Sequence, residues 1–385
     1  MKNCPHFPRC GGCSRLDVPY REQLSTKRQM LSDLFSRFDV PVSPVFPSPQ
    51  HYYYRHKVQL PFGYAGRGTT GKPLLGCYAT DSHRVVDQHH CLIQERELSI
   101  IAWTIRAWAD RTGLSVYDER TGKGFLRHVL LRKGAGTGEV LVGLVTNGKR
   151  PEGSRQLARL LLSMIDDVSL KESAIVGIVQ NVNLRHTNVV LGTEEHVWWG
   201  RTYIKELLGT WRYKISCSTF FQVNPFQTPR LYNEVKRHVP QHSRVVDYYC
   251  GVGSIALWIS DKAAAVHGIE ENRSAVQAAR TASKLNDARN ITFTPGDAGD
   301  ALLHFSKEGF SCAVVDPPRK GIGSQQIKML TSSRLERIIY VSCNPHTLKR
   351  DAKFLQHSFQ LISLQGIDMF PHTDHCECVA VFDRK

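Results

Sequence analysis

No stretch of the chain reaches the about 18 consecutive apolar residues that a membrane-spanning helix requires. The opening Met1-Lys2-Asn3-Cys4-Pro5 also lacks the apolar centre of a signal peptide. Together these absences predict a soluble, cytoplasmic protein with no membrane role. Internal repeats and low-complexity tracts are missing as well, which argues against repeat architectures and extended disorder. Acidic residues are scarce: 35 Asp and Glu stand against 50 Lys and Arg, a formal net charge of +15. That imbalance points to a polyanionic partner, with RNA or DNA ahead of a membrane surface. Disulfides are not expected, because the 11 cysteines are odd in number and no export signal accompanies them. Clustered cysteines then suggest metal binding or catalysis. Cys77, Cys217, Cys312, Cys376 and Cys378 read as small buried or incidental thiols.

What is present divides into three sections, and 385 residues with 41% apolar content suffice for ordinary cores. Residues 1–92 are rich in Cys, His, Pro and Tyr, with a polar helix over Pro19–Phe38 and a proline-rich break at 41–49. Residues 93–210 alternate helix (Ile100–Thr112) with strands (Phe125–Arg132, Glu139–Thr146, Ile175–Asn183). The first two sections are expected to form one α+β, RNA-binding unit. Residues 211–385 repeat strand, turn and helix, with strands at Arg244–Tyr248, Ala264–Ile269, Ile291–Thr294, Cys312–Val315 and Arg337–Val341. That alternation predicts an α/β, doubly wound, mostly parallel sheet. Two closing strands, Leu361–Ile367 and Cys378–Phe382, leave no room for a helix and should pair antiparallel.

The carboxyl ends of these strands carry polar residues, where open parallel sheets bind ligands. Val245 to Tyr248 runs into Tyr249-Cys250-Gly251-Val252-Gly253, a turn in which glycines admit close backbone approach. Glu270 ends the second strand and is placed for ribose hydroxyls. Asp297 follows the third and Asp316 the fourth. The full spacing of a dinucleotide-binding turn is absent, so S-adenosylmethionine fits better. Cys343, in Ser342-Cys343-Asn344-Pro345, follows the fifth strand, and the acid Glu377 comes later. A thiolate adding to carbon 6 of uracil makes carbon 5 nucleophilic, and a base must afterwards remove the carbon 5 proton. Cys343, in its tight loop, is expected to be thiolate-prone.

Five strings resemble the S-adenosylmethionine-dependent RNA uracil-5-methyltransferases: Phe221-Gln222-Val223-Asn224, Asp247 to Gly253, Asp316-Pro317-Pro318-Arg319, Ser342-Cys343-Asn344-Pro345, and Phe370-Pro371 through Glu377. The resemblance covers most of the chain. It implies a class I (Rossmann-like) methyltransferase domain behind an RNA-binding region, with Cys343 as nucleophile and Glu377 as the proton-removing base. Gln222, Tyr249, Gly251, Ser254, Glu270, Asp297 and Asp316 are then the cofactor-lining residues. Ser254 stands where some members have asparagine.

Cys4-x(5)-Cys10-Gly11-Gly12-Cys13 with a distant fourth cysteine is a four-thiolate set, which by chemistry alone suits zinc or an iron–sulfur cluster. Family members acting on ribosomal RNA carry this arrangement around a [4Fe-4S] cluster, with Cys91 at the matching fourth position and Cys77 as its rival. Members acting on transfer RNA generally lack it. The resemblance therefore implies a 23S (large-subunit) rRNA substrate, with tRNA as the alternative, and no leading β-barrel domain. In His51-Tyr52-Tyr53-Tyr54-Arg55-His56-Lys57, rings and cations interleave as they do in RNA-binding stretches; an ordinary strand is the competing reading. Arg55, Lys57 and Arg127 are the expected RNA contacts.

Overall fold

The computed structural model describes residues 2–65, 71–149, 153–166, 173–296 and 309–385. Asp297 lies outside them. The chain divides into two compact units. One comprises Met1–Leu16, His51–Leu208 and Lys214–Ser218; the other comprises Asp17–Gln50, Gly209–Tyr213 and Thr219–Lys385. The first helix, α1 (Tyr20–Phe35), therefore belongs with the carboxy-terminal residues and not with the segment 1–92 expected from sequence. Its Leu31 and Phe35 are fully buried in that unit's core, along with Val45.

In the first unit β1 (Lys57–Tyr64), β2 (Pro73–Tyr78), β3 (Val85–Asp87), β4 (Leu126–Lys133), β5 (Glu139–Thr146), β6 (Ala174–Val182) and β7 (Glu194–Gly200) form one sheet in the order β3-β2-β1-β4-β5-β6-β7. Only β5 and β6 run parallel. Helices α2 (Arg96–Thr112) and α3 (Ser154–Asp166) share its core, where Leu98, Ile105 and Trp108 meet Val129, Val142 and Ile178. Glu95 caps α2 by accepting from the amides of Glu97 and Leu98, and Gly113 ends it in the left-handed conformation. The segment before β1 is irregular, so residues 51–56 are not the strand that the tyrosines allowed. β8 (Tyr203–Leu208) and β9 (Trp211–Ser216) make a separate two-stranded sheet.

The second unit holds α4 (Thr228–His238), β10 (Arg244–Tyr248), α5 (Ser254–Ile259), β11 (Ala265–Glu270), α6 (Arg273–Leu285), β12 (Ile291–Pro295), β13 (Cys312–Val315), α7 (Ser324–Ser332), β14 (Arg337–Ser342), α8 (Pro345–Leu355), β15 (Phe359–Ile367) and β16 (Glu377–Arg384). Its seven strands run in the order β12-β11-β10-β13-β14-β16-β15. β10 to β14 are parallel. β16 inserts antiparallel between β14 and β15, so the closing strands pair as expected. Successive connections leave β10 in opposite directions, toward β11 and toward β13. This is the switch point at which such sheets open a crevice. Asn272 caps α6, and Asn344 followed by Pro345 starts α8. No helix among the described residues is long and apolar enough to cross a membrane.

Candidate active site

At the carboxyl end of β10 the chain turns sharply through Tyr249 (φ 61), Gly251 (φ 54) and Gly253 (φ 74). A Cβ on Gly253 would meet the Phe293 ring at 2.5 Å, whereas at Gly251 nothing lies within 4 Å. Gly253 is therefore required by packing, and Gly251 keeps an open approach to the backbone. The Gly251 amide donates to one Glu270 oxygen at 3.1 Å, and the Asn272 amide to the other at 2.8 Å. Two amides thus hold the Glu270 carboxylate still at the end of β11, with lone pairs left for further donors. The Ser254 and Tyr232 hydroxyls meet at 2.8 Å. Gln222 is half-buried, two residues before Asn224, whose amide donates to the Met369 carbonyl at 3.0 Å.

Asp316 follows β13 directly, and its amide donates to the Tyr248 carbonyl at 3.3 Å. Burial pushes its pKa up to about 7. Asp247 is fully buried on the neighbouring strand, where a backbone hydrogen bond from Ala256 offsets only part of the cost of burying its charge. Burial and then the Asp316 charge hold its pKa well above the carboxylate range. Asp247 opens the stretch that runs to Gly253, yet nothing in its sequence context marks it as a fully buried acid.

The antiparallel ladder of β14 and β16 ends with Ser342 paired to Cys378. Cys343 and Glu377 flank this last pair, and they lie close enough for Glu377 to act electrostatically on the Cys343 thiol. Ser342 braces the loop: its hydroxyl donates to the Asn344 carbonyl at 2.9 Å and accepts from the Asn344 amide at 3.2 Å. Glu377 is only 5% exposed, and burial followed by the Asp316 charge raises its pKa to about 8. Burial, then Glu377 and Asp316, raise the pKa of the half-buried Cys343, while Arg319 pulls it down. The thiolate-prone expectation is thus corrected for the free protein, because burial first, and the two acids after it, disfavour the charged thiol. Arg319 also lowers Glu377, so one cation opposes both shifts. Cys343, Glu377, Asp316 and Arg319 form one electrostatic cluster. Tyr232 from α4 feels Asp316 and Glu377 too, and no local motif announced it.

In the first unit, the thiols of Cys4, Cys10 and Cys91 all act electrostatically on Cys13. The Gly12 amide and the Gln88 side chain donate to the Cys10 sulfur at 3.4 and 3.2 Å. The amides of Gln94 and Ile93 lower the pKa of Cys91, which burial nevertheless raises to about 11. Cys77 bonds with Cys10, whose pKa it lowers to about 7. The charge of Arg55 favours the thiolates of Cys13, Cys77 and Cys91. Converging thiols with amide donors and a nearby cation suit an anionic, thiolate-ligated cluster. Among the described residues no three or more His, Cys, Asp or Glu are arranged as a ready site for a metal ion.

The three expected RNA contacts separate. Arg55 stands by the thiols. Lys57 is largely enclosed, and burial with the neighbouring Arg132 lowers its pKa to about 8. Arg127 is 5% exposed and donates to the carbonyls of Asn183 and Arg185 at 2.7 and 2.9 Å. Rings and cations do meet nearby, where Lys2 lies over Tyr52 and Tyr53, and Arg96 lies 4.3 Å from the Tyr53 ring centre.

A parallel sheet with an inserted antiparallel strand, glycine turn and acids at its strand ends defines a Rossmann-like, S-adenosylmethionine-dependent methyltransferase. The chain belongs to the family described as tRNA (Uracil-5-)-methyltransferase, whose model matches residues 179–385, more than half its length. An uncharacterized RNA methyltransferase of Leptospira interrogans is 42% identical, covering 100% of this chain and 98% of the relative. One from Bacillus cereus is 35% identical, over 99% and 82%. Among solved structures, the Pyrococcus abyssi tRNA (uracil-54, C5)-methyltransferase in complex with S-adenosyl-L-homocysteine is similar at TM-score 0.76 and 27% identity, over 97% of this chain and 86% of that one.

Proposed function

We propose that the protein transfers a methyl group from S-adenosylmethionine to carbon 5 of a uridine in large-subunit (23S) ribosomal RNA. The observation that carries the chemistry is the proximity of Glu377 to Cys343, which flank the last pair of the β14–β16 ladder. When bound, the donor supplies a methyl carbon on a sulfonium leaving group. Gln222, Tyr249, Gly251, Ser254, Glu270, Asp297 and Asp316 would hold it. Cys343, once deprotonated, bonds to carbon 6, and the ring electrons move onto the carbonyl oxygen as an enolate. Carbon 5 takes the methyl group as the sulfonium bond breaks. Glu377 then accepts the carbon 5 proton, the ring double bond re-forms, and the carbon 6–sulfur pair returns to Cys343. Arg319 favours both the thiolate and the carboxylate that these steps need.

Cys4, Cys10, Cys13 and Cys91 would hold a [4Fe-4S] cluster, supported by their mutual fields and the amide donors to sulfur. This thiol set supports the ribosomal substrate. The likeness to the Pyrococcus abyssi enzyme favours a second reading, transfer RNA. Nucleoside mapping of both RNA classes from a deletion strain separates them. Loss of one 5-methyluridine from 23S rRNA is expected; loss from tRNA establishes the second reading; loss from neither sinks both. In vitro, Cys343→Ala should abolish methylation while binding the donor normally. Glu377→Gln should accumulate a methylated, covalent protein–RNA adduct that survives denaturing electrophoresis.

A further inference from the structure

Helix α1 carries a buried stripe, Gln23, Lys27, Leu31 and Phe35, spaced one turn apart. Its lower half enters the apolar core. Its upper half, polar yet 2% and 4% exposed, meets the segment that leads to Glu377. Lys27 donates to Asp368 at 2.7 Å and to the Phe370 carbonyl at 3.2 Å. Tyr20 donates to the other Asp368 oxygen at 2.8 Å. Gln23 grips His372 twice: its oxygen accepts the His372 amide at 2.9 Å, and its nitrogen lies 3.1 Å from the ring Nδ1. His372 has a φ of 66, a left-handed conformation that a non-glycine residue keeps only when its surroundings enforce it. From the other side, Asn224 bonds the Met369 carbonyl. Buried polar groups at this density act as a fixed mould, because each would be costly to leave unpaired.

We propose that α1 positions the proton-accepting acid, with Gln23 and Lys27 as positioning residues for the elimination step. The inference rests on the roles of Cys343 and Glu377 given above. Cys343 is braced by Ser342 and Asn344, which Gln23 does not touch, so a loosened His372 displaces the acid and spares the nucleophile. Addition of sulfur to carbon 6 and transfer of the methyl group proceed. The carbon 5–hydrogen pair then fails to move into the ring, because the carboxylate that takes the proton is misplaced, and sulfur stays bonded.

The test uses the full chain, methyl-labelled S-adenosylmethionine and total RNA from the deletion strain. In Gln23→Leu, single-turnover label transfer should stay within about twofold of wild type, while product release falls about 10- to 100-fold, the scale of a small misplacement. Labelled RNA should run bound to protein on denaturing gels. Gln23→Glu, which retains an oxygen for the His372 amide, should recover part of the release rate. Equal losses of transfer and release in either variant, with no adduct, assign Gln23 a purely structural role and overturn the proposal. Should Gln23→Leu fail to fold, Gln23→Glu decides by the same ratio. If wild-type protein places no label on uridine carbon 5, the underlying reaction is what fails.

Discussion

Two carboxyls with upward-shifted pKa values, Asp316 at about 7 and Glu377 at about 8, give the site a pH signature. An acid whose folded pKa exceeds its unfolded value binds protons more tightly when folded. Its contribution therefore favours folding at low pH and is lost as pH rises from about 4 toward the folded pKa. The unliganded protein should accordingly lose thermal stability as pH rises from about 4 to about 8, and Asp316→Asn should flatten that slope. The donor is cationic at sulfur, and its demethylated product is not. Calorimetry from pH 6 to 8 should show S-adenosylmethionine binding more tightly as pH rises, by up to about tenfold per unit for each proton released. S-adenosylhomocysteine should gain less. Equal slopes would mean that no site carboxyl titrates with the sulfonium. Glu377, Asp316 and Cys343 were legible as residues because each sits in a short, distinctive string next to a strand. Their coupling was not, since it depends on which strands end side by side.

Helix α8 ties the Cys343 loop to the loop after β13. Asp351 is fully buried and accepts from the Tyr340 hydroxyl at 2.7 Å and the Ile322 amide at 2.8 Å. Arg350 adds bonds to Asp351 and to the Lys320 carbonyl. Asp351→Asn replaces an acceptor by an amide that must also donate. It should destabilise the protein by about 1–3 kcal/mol and lower turnover, as denaturant melts and steady-state rates would report. Tyr340→Phe should cost less, since Ile322 and Arg350 keep the carboxylate satisfied. Elements of this half were well marked in sequence, because strand and helix alternate and glycine or proline punctuates each turn. In the first unit, β1, β2 and β7 escaped notice. The burial of Arg127 was not legible, because β4 is buried on both faces and its charged residues are enclosed with the rest. Helix α1 was expected as a polar helix, and its sequence alone does not tell that Gln23 and Lys27 are buried. Only the partner segment some 341 positions away gives Lys27 a reason to be buried.

At the scale of the whole molecule, the charge of +15 should make RNA affinity fall steeply with salt, as counterion release requires. The amino-terminal thiols give a visible test. Anaerobically purified protein should be brown with broad absorbance near about 400 nm, as thiolate-bound iron is. Cys91→Ser should bleach it, and Cys77→Ser should not; a colourless, zinc-loaded and fully active protein would defeat the assignment. The division into units could not be read from composition, since the second unit is discontinuous and residues 51–208 interrupt it.

That interruption bears on how the chain is made. The ribosome delivers α1 early, with Leu31 and Phe35 already seeking cover, yet β15 and the segment around His372 emerge more than three hundred residues later. Contacts between Gln23 and His372 span 349 positions. The methyltransferase half can therefore close only after the intervening unit has been synthesised, and its first helix must wait with apolar side chains uncovered. Nascent chains stalled before residue 359 should recruit holding chaperones at α1, while chains carried through residue 384 should release them.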